Sequence, residues 1–163
     1  MDLIDRLWRG ARVLQGEGVN HEAERFRAEL HVEPLVDGRA MMLRYRATLE
    51  DGSLVHAECT LLGVGPTGAL CLWPVMAELP VVMPHEHRPA LALTPEAFVF
   101  SSGDRDDQTA FREEITIAFG PDRTLTYAHA WGLPGEAFGP RSSACLRASH
   151  VAGDSRWHVR LES

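Results

Sequence analysis

His85 and His87, in the run His85-Glu86-His87, are the sharpest candidates for metal chemistry in the chain. On an extended strand, residues two apart share a face, so two imidazoles at this spacing could hold one ion and support a metal-dependent enzyme. Pro84 and Pro89 flank the pair and favour a loop in which the rings are solvated or hydrogen-bonded instead. Residues 88–92, Arg-Pro-Ala-Leu-Ala, bring no carboxylate to complete a ligand set.

A second set is aromatic. Tyr127, His129 and Trp131 fall on one face of a strand by period two, where they form either a packed aromatic face with one satisfied histidine or the wall of a ligand-binding lumen. Tyr45 shares the apolar phase of Met41 and Leu43 and is a further candidate for such a wall. Trp73, Met76 and Met83 lie in residues 72–84, where Pro74, Pro80 and Pro84 argue against a regular central strand. That stretch suits a loop over a cavity mouth, or ordinary core packing. Arg112, between Phe111 and Glu113, is the candidate cation for a ligand carboxylate, which guanidinium groups bind in a bidentate fork. Arg44 and Arg46 alternate with the apolar residues of their strand and belong on the solvent side.

Other chemistries find no support. There is no Gly-x-Ser-x-Gly elbow, no glycine-rich phosphate loop and no His-Glu-x-x-His, so no catalytic residue is assigned. Residues 103–108, Gly-Asp-Arg-Asp-Asp-Gln, lack the alternating acidic positions and closing Glu of a calcium loop and suit a charged hairpin tip.

The elements that must position these residues follow from composition and periodicity. With 163 residues, 45% hydrophobic and 24% charged, the chain matches one globular domain over 1–163 rather than a disordered or coiled-coil protein. No apolar run approaches the roughly 18 residues of a membrane span. A net charge of −7 disfavours a general grip on nucleic acid. The N-terminus lacks the apolar run of a signal peptide, so a cytoplasmic protein is expected. Cys59, Cys71 and Cys145 have no Cys-x-x-Cys spacing and are read as small hydrophobes rather than disulfides or zinc ligands. Oligomeric state is not legible.

Helical spacing occurs once, at Leu3, Ile4, Leu7, Trp8 and Ala11, predicting a short N-terminal helix that must dock its Leu7 and Trp8 face to be stable. Gly16-Glu17-Gly18 then reads as a break. Beyond it the period is two. Residues 26–33 put Phe26, Ala28, Leu30 and Val32 on one face, and residues 41–49 put Met41, Leu43, Tyr45, Ala47 and Leu49 on one face. Asp51-Gly52 supplies a hairpin turn before a strand at 54–64. Further strands are expected at 69–75, 90–93, 97–101, 111–119, 124–131, 142–149 and 157–162. Nine or ten short strands joined by short turns predict an all-β, antiparallel up-and-down barrel whose lumen can hold one small ligand.

The helix, Gly16-Glu17-Gly18, the run Leu43-Arg44-Tyr45-Arg46-Ala47-Thr48 with Asp51-Gly52, and His56-Ala57-Glu58 together resemble the calycin-type, lipocalin-like barrels. Within these they are most similar to bacterial fatty-acid-binding-protein-like and nitrobindin-like proteins. The resemblance implies non-catalytic binding of an apolar or amphipathic small molecule. For nitrobindin-like members it implies ferric haem on a histidine near the last strands. Here that stretch reads Arg141-Ser142-Ser143-Ala144-Cys145-Leu146-Arg147, with the usual histidine replaced near Ser142, so no cofactor is expected and haem stands as the alternative.

Overall fold

The computed structural model of the protein describes residues 3–149; His150 and the strand expected at 157–162 lie outside the described residues. A helix, α1 (Leu3–Arg9), precedes ten strands: β1 (Val13–Asn20), β2 (Arg25–Leu35), β3 (Ala40–Thr48), β4 (Leu54–Val64), β5 (Leu70–Met76), β6 (His85–His87), β7 (Ala97–Ser102), β8 (Arg112–Phe119), β9 (Leu125–Gly132) and β10 (Gly139–Ala148). Each strand pairs antiparallel with the next, and β1 closes on β10, giving a barrel without free edges. No helix among the described residues is long and apolar enough to cross a membrane.

The alternation in the sequence sets which side chains point inward. Phe26, Ala28, Leu30 and Val32 of β2 and Met41, Leu43, Tyr45 and Ala47 of β3 are all buried, as their phase predicts. Leu62, Leu72, Phe100, Ile115 and Ile117 join them, so the half of the lumen nearest α1 is a packed core. Helix α1 lies across that end, with Leu3 and Leu7 buried. Trp8 stays 42% exposed, its ring laid against Gly38 in the β2–β3 turn, while Arg6 covers the Phe119 ring. The opposite end, bounded by the β1–β2, β3–β4, β5–β6, β7–β8 and β9–β10 connections, is the mouth.

Three local expectations are corrected. Residues 90–93 are not a strand: Pro89 opens a 3-10 turn, Pro89–Leu91, in keeping with the preset φ of proline at a first helical position. Residues 72–84 do not all form a loop, because β5 runs through Pro74 to Met76. Its ladder to β6 covers only Cys71 and Leu72, and a proline is tolerated where a strand loses its neighbour. Gly16 and Gly18 do not break the chain either. They sit within β1, where a Cβ on Gly16 would lie 1.9 Å from the Cys145 carbonyl oxygen and one on Gly18 would meet the Phe26 ring at 2.3 Å.

Gly16→Ala is therefore expected to disturb the β1–β10 seam that closes the barrel, at a cost of about 1–3 kcal/mol from overpacking. Gly139→Ala, where an added Cβ meets nothing within 4 Å, serves as the control. Equal urea midpoints for the two variants would show that the seam has room for a methyl group.

Candidate functional site

Strands β4 and β9 stand opposite each other, five strands apart in either direction round the barrel. Their inward phases carry polar side chains at one level: His56, Glu58 and Thr60 on β4, and Tyr127 and His129 on β9. Glu58 is the hub. Its Oε1 accepts hydrogen bonds from the Tyr127 hydroxyl and from Thr60 Oγ1 at 3.1 Å, while Oε2 faces His56 Nε2 at 3.3 Å and His129 Nε2 at 3.2 Å. The outer ring nitrogens are held as well, His56 Nδ1 by Glu78 Oε2 at 2.9 Å and His129 Nδ1 beside Ser142 Oγ at 3.4 Å. Tyr45 stacks on Tyr127 with ring centroids 4.7 Å apart, completing a polar and aromatic bridge from wall to wall.

Electrostatics follow from this arrangement. Burial alone would raise the Glu58 carboxyl, but the hydrogen bonds and charges of His129 and His56 outweigh it and hold the group well below the ordinary carboxylate range. Burial likewise disfavours a charged His56, yet its hydrogen bonds to Glu58 and Glu78 prevail and raise it to about 10. Burial, reinforced by the Glu58 charge, pushes the Tyr45 and Tyr127 phenols up, so both remain donors. The Tyr45 hydroxyl is buried without a hydrogen-bond partner in the structure.

The groups facing His56 are Glu58 on its own strand, Glu78 after β5, His129 on β9 and Tyr45 on β3. Nitrogen-detected NMR of the ring should find His56 protonated through neutral pH, with its midpoint at about 10. A midpoint close to the ordinary 6.5 would mean that the two carboxylates do not hold this ring in solution.

Above the bridge opens a cavity of about 490 Å3. Leu54, Val55, Met76, Leu79, Trp131 and Leu133 form an apolar band around it, His56, His129, Glu113 and Ser142 contribute polar groups, and Asn20, His21, Glu22 and Glu24 of the β1–β2 turn add further polar lining. Arg141 stacks on the Trp131 ring at 3.9 Å.

Several residues singled out in the sequence meet here: His129, Trp131 and Met76 line the cavity, and Tyr45 and Tyr127 belong to its floor. Two do not. Trp73 points out of the barrel, where it borders an outer hollow with Ile4, Gly38 and Leu61, because the inward phase of β5 belongs to Leu72, Pro74 and Met76. Arg112 is buried but not in the lumen. Its guanidinium donates to the carbonyl oxygens of Arg105, Ala110, Leu133 and Glu136, tying the β7–β8 and β9–β10 connections together. It therefore has no fork left for a ligand carboxylate.

His85 and His87 do lie on an extended strand and share its inward phase, but each has other engagements. His85 Nδ1 donates to the Met83 carbonyl oxygen at 2.9 Å, and Nε2 meets Glu113 Oε2 at 3.1 Å. The His87 ring packs near Phe98 and Phe100. Among the described residues, the three-residue group whose donor atoms converge is instead His56, Glu58 and His129. The signal for it in the sequence is an inward phase on β4 that reads His, Glu, Thr in mid-strand, where a packed barrel would carry apolar residues.

An axial haem histidine needs a ring nitrogen projecting into open space. Ser142 stands beside His129 across the β9–β10 ladder, yet His129 Nε2 faces a carboxylate 3.2 Å away, and Cys145 lies on the outward phase of β10. Neither His129 nor Cys145 therefore fits the axial ligand of a haem.

No family model matches the sequence, and no curated protein matches it. Among solved structures, the chain is similar to that of Rv2717c from M. tuberculosis, with a TM-score of 0.62 and 13% identity over 91% of this chain and 99% of that one. At that identity the likeness is one of fold, a barrel of the same kind.

Proposed function

We propose that the mouth cavity binds a small amphipathic molecule, its apolar body held by the Leu54–Met76–Trp131 band and its head placed on the floor at His56 and His129. The observation that carries this reading is the layering of the cavity, apolar walls above a fixed polar floor. Its volume lies within the roughly 300–1,000 Å3 typical of small-molecule sites. Binding needs no catalytic step.

The head is an uncharged hydrogen-bonding group rather than a carboxylate. Glu58, Glu78 and Glu113 surround the floor, the histidines facing them are engaged with those carboxylates, and Arg112 is committed to the loops. A fatty acid would bring a fourth carboxylate to that floor, and Arg141, the arginine among the described residues that lines the cavity, is held against the Trp131 ring by the Trp131 carbonyl and Glu136; an unpaired charge taken out of water is costly.

Displacement of Nile red from the metal-free protein tests this. Dodecanol should displace the dye at concentrations at least tenfold lower than dodecanoate, and Met76→Glu should abolish the effect of both. Stronger displacement by dodecanoate would overturn the assignment of the head group. Failure of the dye and both ligands to bind would overturn the cavity reading itself.

A further inference from the structure

We propose that His56, Glu58 and His129 form a binding site for one divalent transition-metal ion, with a further coordination position open to the mouth cavity. Two imidazoles and one carboxylate are a donor set that suits zinc and its neighbours in the first row. The spacing also suits an ion. Metal–ligand bonds of about 2.0–2.1 Å in tetrahedral array place ligand atoms about 3.3–3.4 Å apart. The two separations from Glu58 Oε2, 3.3 Å to His56 Nε2 and 3.2 Å to His129 Nε2, already match. All three donor atoms lie within 4.8 Å of one another, so any closure needed is confined to the gap between the two rings.

What surrounds the donors distinguishes this cluster from a chance meeting of polar groups. Metal-binding histidines characteristically donate their other ring N–H to an oxygen acceptor such as a carboxylate, a backbone carbonyl or water, which fixes the ring and selects the ligating nitrogen. Here Glu78 anchors His56 Nδ1 and Ser142 stands at His129 Nδ1, so both rings turn Nε2 to the same point. Tyr127 and Thr60 occupy Glu58 Oε1 and leave Oε2 for the ion. The ion would displace the proton between His56 Nε2 and Glu58, and the unpartnered Tyr45 hydroxyl at the same level has a candidate acceptor in a metal-bound water. His56 and His129 also line the cavity, which gives an ion a route in.

The test is a titration of the chelator-stripped full chain with Co2+ and Zn2+, without any organic ligand, followed by visible absorption and by competition with a chromophoric chelator. One equivalent is expected, with the visible bands of four- or five-coordinate cobalt. His56→Asn and His129→Asn should each weaken binding at least 100-fold. Glu78→Gln should weaken it about 10–100-fold, as loss of an anchoring partner does, while His87→Asn should leave it unchanged. Because core variants can misfold, paramagnetic shifts of the wild-type ring signals supply an independent reading. Shifts of His56 and His129 support the site, whereas shifts confined to other histidines overturn it. Absence of stoichiometric binding, or affinity retained in the double variant His56→Asn/His129→Asn, also overturns it. Dye displacement from the metal-free protein is read separately, so loss of the metal site and loss of the cavity reading remain distinguishable.

Discussion

Glu58→Ala is expected to destabilise the metal-free protein by about 3–5 kcal/mol, because breaking a buried ion pair leaves its partner charged and unpaired. The carboxylate ties β4 to both Tyr127 and His129, and it shares His56 with Glu78. Truncation removes the carboxylate acceptor of the Tyr127 hydroxyl and leaves His56 with only the half-exposed Glu78. The loss should depend on pH with a definite sign. His56 is raised in the folded state from 6.5 to about 10, so its contribution is fully present below 6.5 and is lost as pH rises through about 10. Glu58 is lowered, so its contribution is present above the ordinary carboxylate value of 4.5 and is lost in acid. The difference between wild type and variant should thus be greatest between those two limits and shrink on the alkaline side. Urea unfolding at about pH 6 and about pH 9.5 would show it. A difference that is small, or that grows with pH, would mean that His56 is not held by Glu58.

How far this site is legible in the sequence depends on whether a residue's partners lie along the chain or across the barrel. Period two alone places Tyr45, Tyr127 and His129 on inward faces, and the whole of β4 follows from the Asp51-Gly52 turn and the alternation after it. The meeting of Glu58 with His129 follows from neither strand, since it depends on β4 and β9 becoming opposite when the tenth strand closes on the first. Proline and glycine mislead for a related reason. Pro84 precedes β6 and Pro74 stands in β5 where its β6 neighbour ends, and neither position requires the missing N–H to continue a ladder. Gly16 and Gly18 look like a break because glycine frees the backbone, but here the absence of a Cβ lets the β10 backbone and the Phe26 ring approach. The tertiary neighbour decides between these uses of the same residue.

Arg112→Met is the second large loss expected, about 3 kcal/mol, and it should act on the cavity as well as on stability. A lumen-facing arginine would be expendable to the fold, but this one is 1% exposed and donates to four carbonyl oxygens from two connections. Methionine fills part of the volume but strands acceptors, each costing about 1–3 kcal/mol where water cannot reach. Loops can admit water to some of them, which sets the net loss below the full sum. Arg112→Lys should rescue little, since one ammonium cannot reproduce a planar fork that serves both loops. Gly132 belongs to the same device: a Cβ there would lie 2.8 Å from Arg112 Cζ, so Gly132→Ala should displace the guanidinium and resemble Arg112→Met in direction. Phe111 and Leu133, which line the cavity, adjoin the anchored carbonyls. Loosening Arg112 should therefore speed amide hydrogen exchange in residues 103–111 and 133–138 and weaken Nile red binding, while leaving the α1 end of the barrel protected. Uniform exchange across the barrel in the variant would instead place Arg112 in the global stability of the fold and separate it from the mouth.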